Sequence, residues 1–148
     1  MGFGPSAMLG VKVGRPDRAA VALTGDGGMG AANTSCIATA MEANIPGVWV
    51  VMDNSAFGVI AGLEEAKYDS TFGCVFMRDG QPYSVDYAAI ARAHGANGVN
   101  ITSADEVGPA MQAAFESDLP TLIRIPMVNV PTPTPGHWNI NDIYRAGS

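Results

Sequence analysis

Residues 21–54, VALTGDGGMGAANTSCIATAMEANIPGVWVVMDN, decide the fold. An apolar run at 19–23 leads into the turn Gly25-Asp26-Gly27-Gly28. An alanine-rich, helix-compatible segment follows, then Pro46-Gly47, then a second apolar run at 48–52 closed by Asp53-Asn54. That order reads as strand, tight turn, helix, strand, the unit from which parallel sheets are built. Glycines in the turn permit backbone conformations closed to other residues and leave N–H groups free to face an anion at the helix N-terminus. Asp26 complicates a simple phosphate cradle, because it places a carboxylate where the phosphate would lie. A divalent cation between the two anions removes the conflict, and Mg²⁺ is commonly shared in this way between protein carboxylates and substrate phosphates. Asn54 offers an amide oxygen from the next strand end, on the same crevice beyond the C-terminal edge of the sheet. The motif therefore asks for a diphosphate and a metal.

A rival reading uses the same glycines. Gly25-x-Gly27-x-x-Gly30 satisfies the dinucleotide fingerprint, and Asp53 supplies an acid at the second strand end. Asp26 would then face a pyrophosphate unscreened, and Asp53 comes later than the usual spacing of about 20 residues. A nucleotide-binding Rossmann-type oxidoreductase domain is the weaker alternative, as is a non-catalytic fragment.

Gly25-Asp26-Gly27, 26 intervening residues and Asn54 resemble the thiamine diphosphate motif of acetolactate synthase-like enzymes. Met1-Gly2-Phe3-Gly4-Pro5-Ser6-Ala7 looks like the turn and helix start ahead of that motif, and Asn54-Ser55-Ala56-Phe57-Gly58 like its continuation. The likeness covers residues 1–127. It implies Asp26, Asn54 and the carbonyl of Ala56 as holders of Mg²⁺, with the amides of Gly27 and Gly28 facing the diphosphate. It also places Met1 under the thiazolium ring. Three positions depart from the family pattern. Asp53 stands where the first of two asparagines is usual, and Cys36 where a glutamate is common. Ile60 replaces an acid of the simple pyruvate-type decarboxylases, which leans towards a carboligase acting on a 2-oxo acid. In the family the glutamate that activates the cofactor comes from a pyrimidine-side domain, usually of another subunit. None of Glu42, Glu64, Glu65, Glu106 and Glu116 matches that motif. A homo-oligomeric full enzyme is implied. The resemblance also implies two strands and a helix ahead of Met1, so the sequence is expected to be a fragment of a longer chain rather than a split-enzyme subunit. With those strands missing, the run at 19–23 would sit at or near a sheet edge.

The 148 residues suit one domain with a real core, 47% hydrophobic and 15% charged. A formal charge of −6 without a Lys/Arg cluster argues against nucleic acid. No apolar stretch is long enough to span a membrane, and the N-terminus is unlike a signal peptide. Cys36 and Cys74 lack metal-ligand spacing and read as buried small hydrophobes, which makes a reducing cytoplasm the default.

Further along, residues 5–13 predict a helix, with Pro5 in its first turn. Residues 56–66 predict a loop and weak helix, and 68–83 an irregular segment whose Phe72 and Phe76, with Phe57, could line a pocket or pack as core. Ser84 or Asp86 caps a helix to about His94, read as structural. A short strand at 98–101 precedes a capping box at Ser103-Ala104-Asp105-Glu106, and a helix to about Ser117 in which Pro109 should cause a bend or delay. Residues 121–125 form the last strand, ended by Pro126. The expected architecture is an α/β fold, a mostly parallel sheet with helices on both faces, over residues 1–127. Residues 128–148 read as an extended Pro-rich tail lying across another surface, with His137 a surface residue.

Overall fold

The computed structural model describes residues 1–30 and 34–129. The tail with His137 and Trp138 lies outside the described residues. In chain order the elements are α1 (Phe3–Gly14), β1 (Val21–Gly25), α2 (Asp26–Gly30), α3 (Cys36–Glu42), β2 (Val48–Asp53), α4 (Gly58–Tyr68), β3 (Met77–Arg78), β4 (Gln81–Pro82), α5 (Tyr87–Ala93), β5 (Asn97–Asn100), α6 (Val107–Glu116) and β6 (Thr121–Pro126).

Four strands form an all-parallel sheet in the order β1-β2-β6-β5. Its central strand β2, VWVVMD, is buried along nearly its whole length, as expected for a parallel strand covered on both faces. Alternation divides its side chains. Trp49 and Val51 join Leu122 and the buried residues of α1, α3 and α5 in one core layer. Val48 and Val50 join Ile123, Ile101 and Ala114 of α6 in the other. Trp49 also donates from Nε1 to the carbonyl of Pro5 at 2.9 Å, fixing the start of α1 against the sheet.

The second layer stops short of β1, where Val21 and Leu23 are exposed, Leu23 by 71%. Among the described residues β1 is thus an edge strand with apolar side chains, and it starts two residues later than the apolar run suggested.

Two other local expectations need correction. The segment 68–83 contains an antiparallel hairpin, β3 with β4, turned by Asp79 and Gly80 at φ 52° and 74°. Both central residues in left-handed conformations are what a two-residue Asp-Gly hairpin requires. At the capping box, Ser103 accepts from the Asp105 N–H, but the Glu106 carboxylate reaches Thr102 instead, at 2.8 Å from both its N and its hydroxyl. Pro109 falls in the first turn of α6, where no intrahelical N–H is lost, and the expected delay is seen, the α-helix beginning at Val107 after a 3₁₀ turn over Ala104–Glu106.

Candidate functional site

The site grows from the C-terminal ends of β1 and β2. β1 ends at Gly25 and α2 starts at Asp26 itself, so the carboxylate sits in a helical first turn where the dipole favours it. Two glycines of the turn are needed for space. A β-carbon on Gly27 would overlap the ring of Phe57, and one on Gly28 would lie 2.6 Å from Thr24 Oγ1.

From β2 the chain continues through Asn54 into Ser55, whose φ of 56° is left-handed and reverses the backbone direction. A second segment holds this bend in place. Phe57 N donates to the Cys74 carbonyl at 2.8 Å, Phe76 N to the Ser55 carbonyl at 2.7 Å, and Ala56 pairs with Val75 in an isolated bridge. Across the crevice, Ala56 N donates to Asp26 Oδ2 at 3.1 Å.

The side-chain amide of Asn54 then meets two acceptors, one of its end atoms lying 3.2 Å from Asp26 Oδ1 and 3.0 Å from the Ala56 carbonyl oxygen. In the orientation that satisfies both, that atom is Nδ2, which donates to each. With the oxygen there instead, Nδ2 faces Asn129 Oδ1 at 3.1 Å. The same side chain therefore suits two states. Nitrogen inward satisfies two acceptors, while oxygen inward completes an all-oxygen triangle of the type a hard cation takes.

An open cleft of about 470 Å³ covers this point, and Met1, Gly25, Asp26, Gly27, Gly28, Asn54, Ala56, Phe57 and Gly58 all line it. The residues that the resemblance gave to cofactor and metal are thus brought to one place. Met52, Val59, Ile60 and Met127 complete the lining. Phe76 supports Phe57 edge-to-face at a centroid distance of 4.9 Å, whereas Phe72 is 92% exposed and does not line this cleft.

Behind the cleft is a network that the motif did not announce. Asp53, 3% exposed, pairs with Arg124 through Oδ2 to Nε at 2.6 Å, accepts from the Ser84 hydroxyl on the same oxygen, and accepts from Ser55 N at 3.2 Å on the other. Burial pushes the Asp53 carboxyl up, but Ser84, Arg124 and the Ser55 N–H outweigh it and hold the group below the ordinary carboxylate range. Asp26, 1% exposed, goes the other way. Burial raises it, the adjacent Asp53 adds to the rise, and N–H groups of Gly27 and Ala56 only partly offset this. With both its oxygens engaged, Asp53 is not presented to a ribose, which removes the acid that the dinucleotide reading required. Cys36 and Cys74 are buried and form no disulfide, as expected of small core residues.

Among the described residues no helix is long and apolar enough to cross a membrane. The sequence profile described as "Thiamine pyrophosphate enzyme, C-terminal TPP binding domain" matches residues 1–125. The chain is 32% identical over 125 residues to the acetolactate synthase large subunit of Parasynechococcus marenigrum, covering 84% of this chain and 20% of that protein. It is 33% identical over 126 residues to a 3D-(3,5/4)-trihydroxycyclohexane-1,2-dione hydrolase of Bacillus licheniformis, covering 84% and 20%. The chain thus spans about a fifth of the length of these relatives. In fold it resembles a thiamine diphosphate-dependent 4-hydroxybenzoylformate decarboxylase of Rhodococcus jostii RHA1, with a TM-score of 0.76 at 24% identity, over 86% of this chain and 23% of that one. With the profile matching residues 1–125, the glycine turn with its buried acid and the parallel sheet lead to one conclusion: the chain belongs to the C-terminal thiamine pyrophosphate-binding domain family of thiamine pyrophosphate enzymes.

Proposed function

We propose that the cleft anchors thiamine diphosphate through Mg²⁺ held by Asp26 Oδ1, Asn54 Oδ1 and the Ala56 carbonyl. The observation that carries this reading is the convergence of the Asn54 amide on Asp26 Oδ1 at 3.2 Å and the Ala56 carbonyl at 3.0 Å, at the head of the glycine turn. With the amide oxygen turned inward, these residues would offer the hard oxygen donors that Mg²⁺ takes. Gly27 and Gly28 keep the turn free of side chains, so the diphosphate can approach the start of α2 and complete the metal shell. Met1, Ile60 and Met127 supply an apolar wall for the thiazolium ring, with Met1 beneath it.

Bound thiamine diphosphate supplies a nucleophilic carbon that adds to the carbonyl of a 2-oxo acid and takes up the electrons released when carbon dioxide leaves. This chain's own residues neutralise, orient and partly desolvate the cofactor. No glutamate lines the cleft, so the group that moves the activating proton is assigned to a pyrimidine-side domain or subunit. The full protein on this reading is an acetolactate synthase-like carboligase, a homo-oligomer, and the 148 residues alone turn over nothing. Ile60, in place of an acid, favours ligation over simple decarboxylation.

Calorimetric titration of the chain with thiamine diphosphate, with Mg²⁺ or with EDTA, tests the anchoring. Mg²⁺-dependent binding that Asp26→Ala abolishes and Asn54→Ala weakens is the expected result. Equal affinity in EDTA, or in the Asp26 variant, would overturn it.

A further inference from the structure

Asp53 poses a chemical problem that the site has solved. It ends β2 one residue before Asn54, is buried, and its carboxyl group is a direct neighbour of Asp26. Left alone, a second carboxylate here would compete for the cation. Its oxygens are instead filled, Oδ2 by the Arg124 guanidinium and the Ser84 hydroxyl, Oδ1 by the Ser55 N–H. Arg124 reaches it from β6, the strand paired with β2, across 71 residues of sequence.

We propose that Arg124 is a positioning residue of the cation site, which holds Asp53 off the metal so that Asp26 is the only carboxylate offered to it. The inference rests on the metal reading above and deepens it. Two carboxylates and one guanidinium leave the protein a single net negative charge at the site. A divalent cation then leaves one positive charge, complementary to a diphosphate and insufficient to hold the metal tightly alone. Arg124 thereby makes cation binding depend on the diphosphate. Removing the guanidinium frees Asp53 as a second anionic ligand, and the metal no longer needs the diphosphate to the same degree.

The test is titration of the full chain with Mn²⁺, a Mg²⁺ surrogate, followed by electron paramagnetic resonance with and without thiamine diphosphate. In the unaltered chain, thiamine diphosphate should tighten Mn²⁺ binding. Arg124→Met should bind Mn²⁺ alone about tenfold more tightly, since one unit of charge this near a divalent cation is worth that much even at the dielectric constant of water. It should also lose most of the enhancement by thiamine diphosphate. Adding Asp53→Asn to Arg124→Met should restore the original pattern. A residue that served only the fold would weaken binding when removed, never strengthen it. Should Arg124→Met fail to fold, Asp53→Asn alone decides, with Mn²⁺ affinity expected to fall about tenfold as the net charge goes to zero. Unchanged Mn²⁺ affinity in the folded variants overturns the role of Arg124 and leaves the metal reading intact. Absence of Mn²⁺ binding to the unaltered chain, even with thiamine diphosphate, removes the metal reading itself and this proposal with it.

Discussion

The phenolic hydroxyl of Tyr87 donates a 3.0 Å hydrogen bond to the main-chain carbonyl of Asp26, tying the start of α5 to the first residue of α2. Burial, reinforced by the carboxylates of Asp26 and Asp53, pushes the Tyr87 hydroxyl up to about 12, so it is a neutral donor at neutral pH. The same hydroxyl approaches Gly30 so closely that no β-carbon fits there. One tyrosine thus holds both ends of the short helix.

Tyr87→Phe keeps the ring in the core and removes the hydrogen bond. Leaving a buried carbonyl short of a partner costs about 1–3 kcal/mol. Thermal unfolding should show that loss, and Mn²⁺ affinity in the presence of thiamine diphosphate should fall several-fold as the turn loosens. An unchanged melting temperature would mean the bond is replaced by water.

Asp26 makes stability depend on pH in an unusual direction. Its folded value is raised above the unfolded one, so its contribution is fully present below the unfolded range and is lost as pH rises through the folded value. Asp53 is lowered, so its contribution is present above the unfolded range and is lost as pH falls through its folded value. Without a divalent cation the chain should therefore gain stability from Asp26 on acidification from pH 7 towards the ordinary carboxylate range, and lose the share due to Asp53 only below it. Asp26→Asn should remove the first limb and stabilise the cation-free chain at pH 7 by about 1–2 kcal/mol, a usual gain on relieving a functional-site conflict. Denaturant unfolding in EDTA across pH checks the sign.

Gly27→Ala drives a methyl group into the Phe57 ring. The overlap should cost about 1–3 kcal/mol and displace the Ala56 carbonyl that follows the same backbone. Phe57→Leu in the same chain should recover part of the stability. Chemical denaturation of the single and double variants measures the coupling, and strict additivity would show that the two residues do not touch in solution.

What could be read from sequence was local. The turn at Gly25–Gly28, the strand ends and Asn54 lie within one β–α–β unit, so spacing alone brought them into one crevice. The supports of that crevice are remote. Ser84 and Arg124 meet Asp53 across 31 and 71 positions, and no periodicity links a serine after a hairpin to an arginine in a buried strand. Tyr87 gives no local signal of its role, because its ring suits any apolar position of a helix and its hydroxyl bonds a carbonyl 61 positions away. Asp79-Gly80 was legible as a hairpin turn but was submerged in an aromatic, irregular-looking stretch. The effect of Pro109 was legible too, because α6 starts at Val107, after a 3₁₀ turn, rather than at the capping box.

The position of β1 carries one more consequence. Among the described residues, the strand that delivers Asp26 has β2 on one side and no strand on the other. Ordering of that strand and retention of the cation are then linked functions of one equilibrium, and linkage between binding events is reciprocal. Any segment that adds itself alongside Val21 and Leu23 and steadies the turn raises affinity for the metal and diphosphate. The metal and diphosphate, by the same factor, strengthen the hold of that segment.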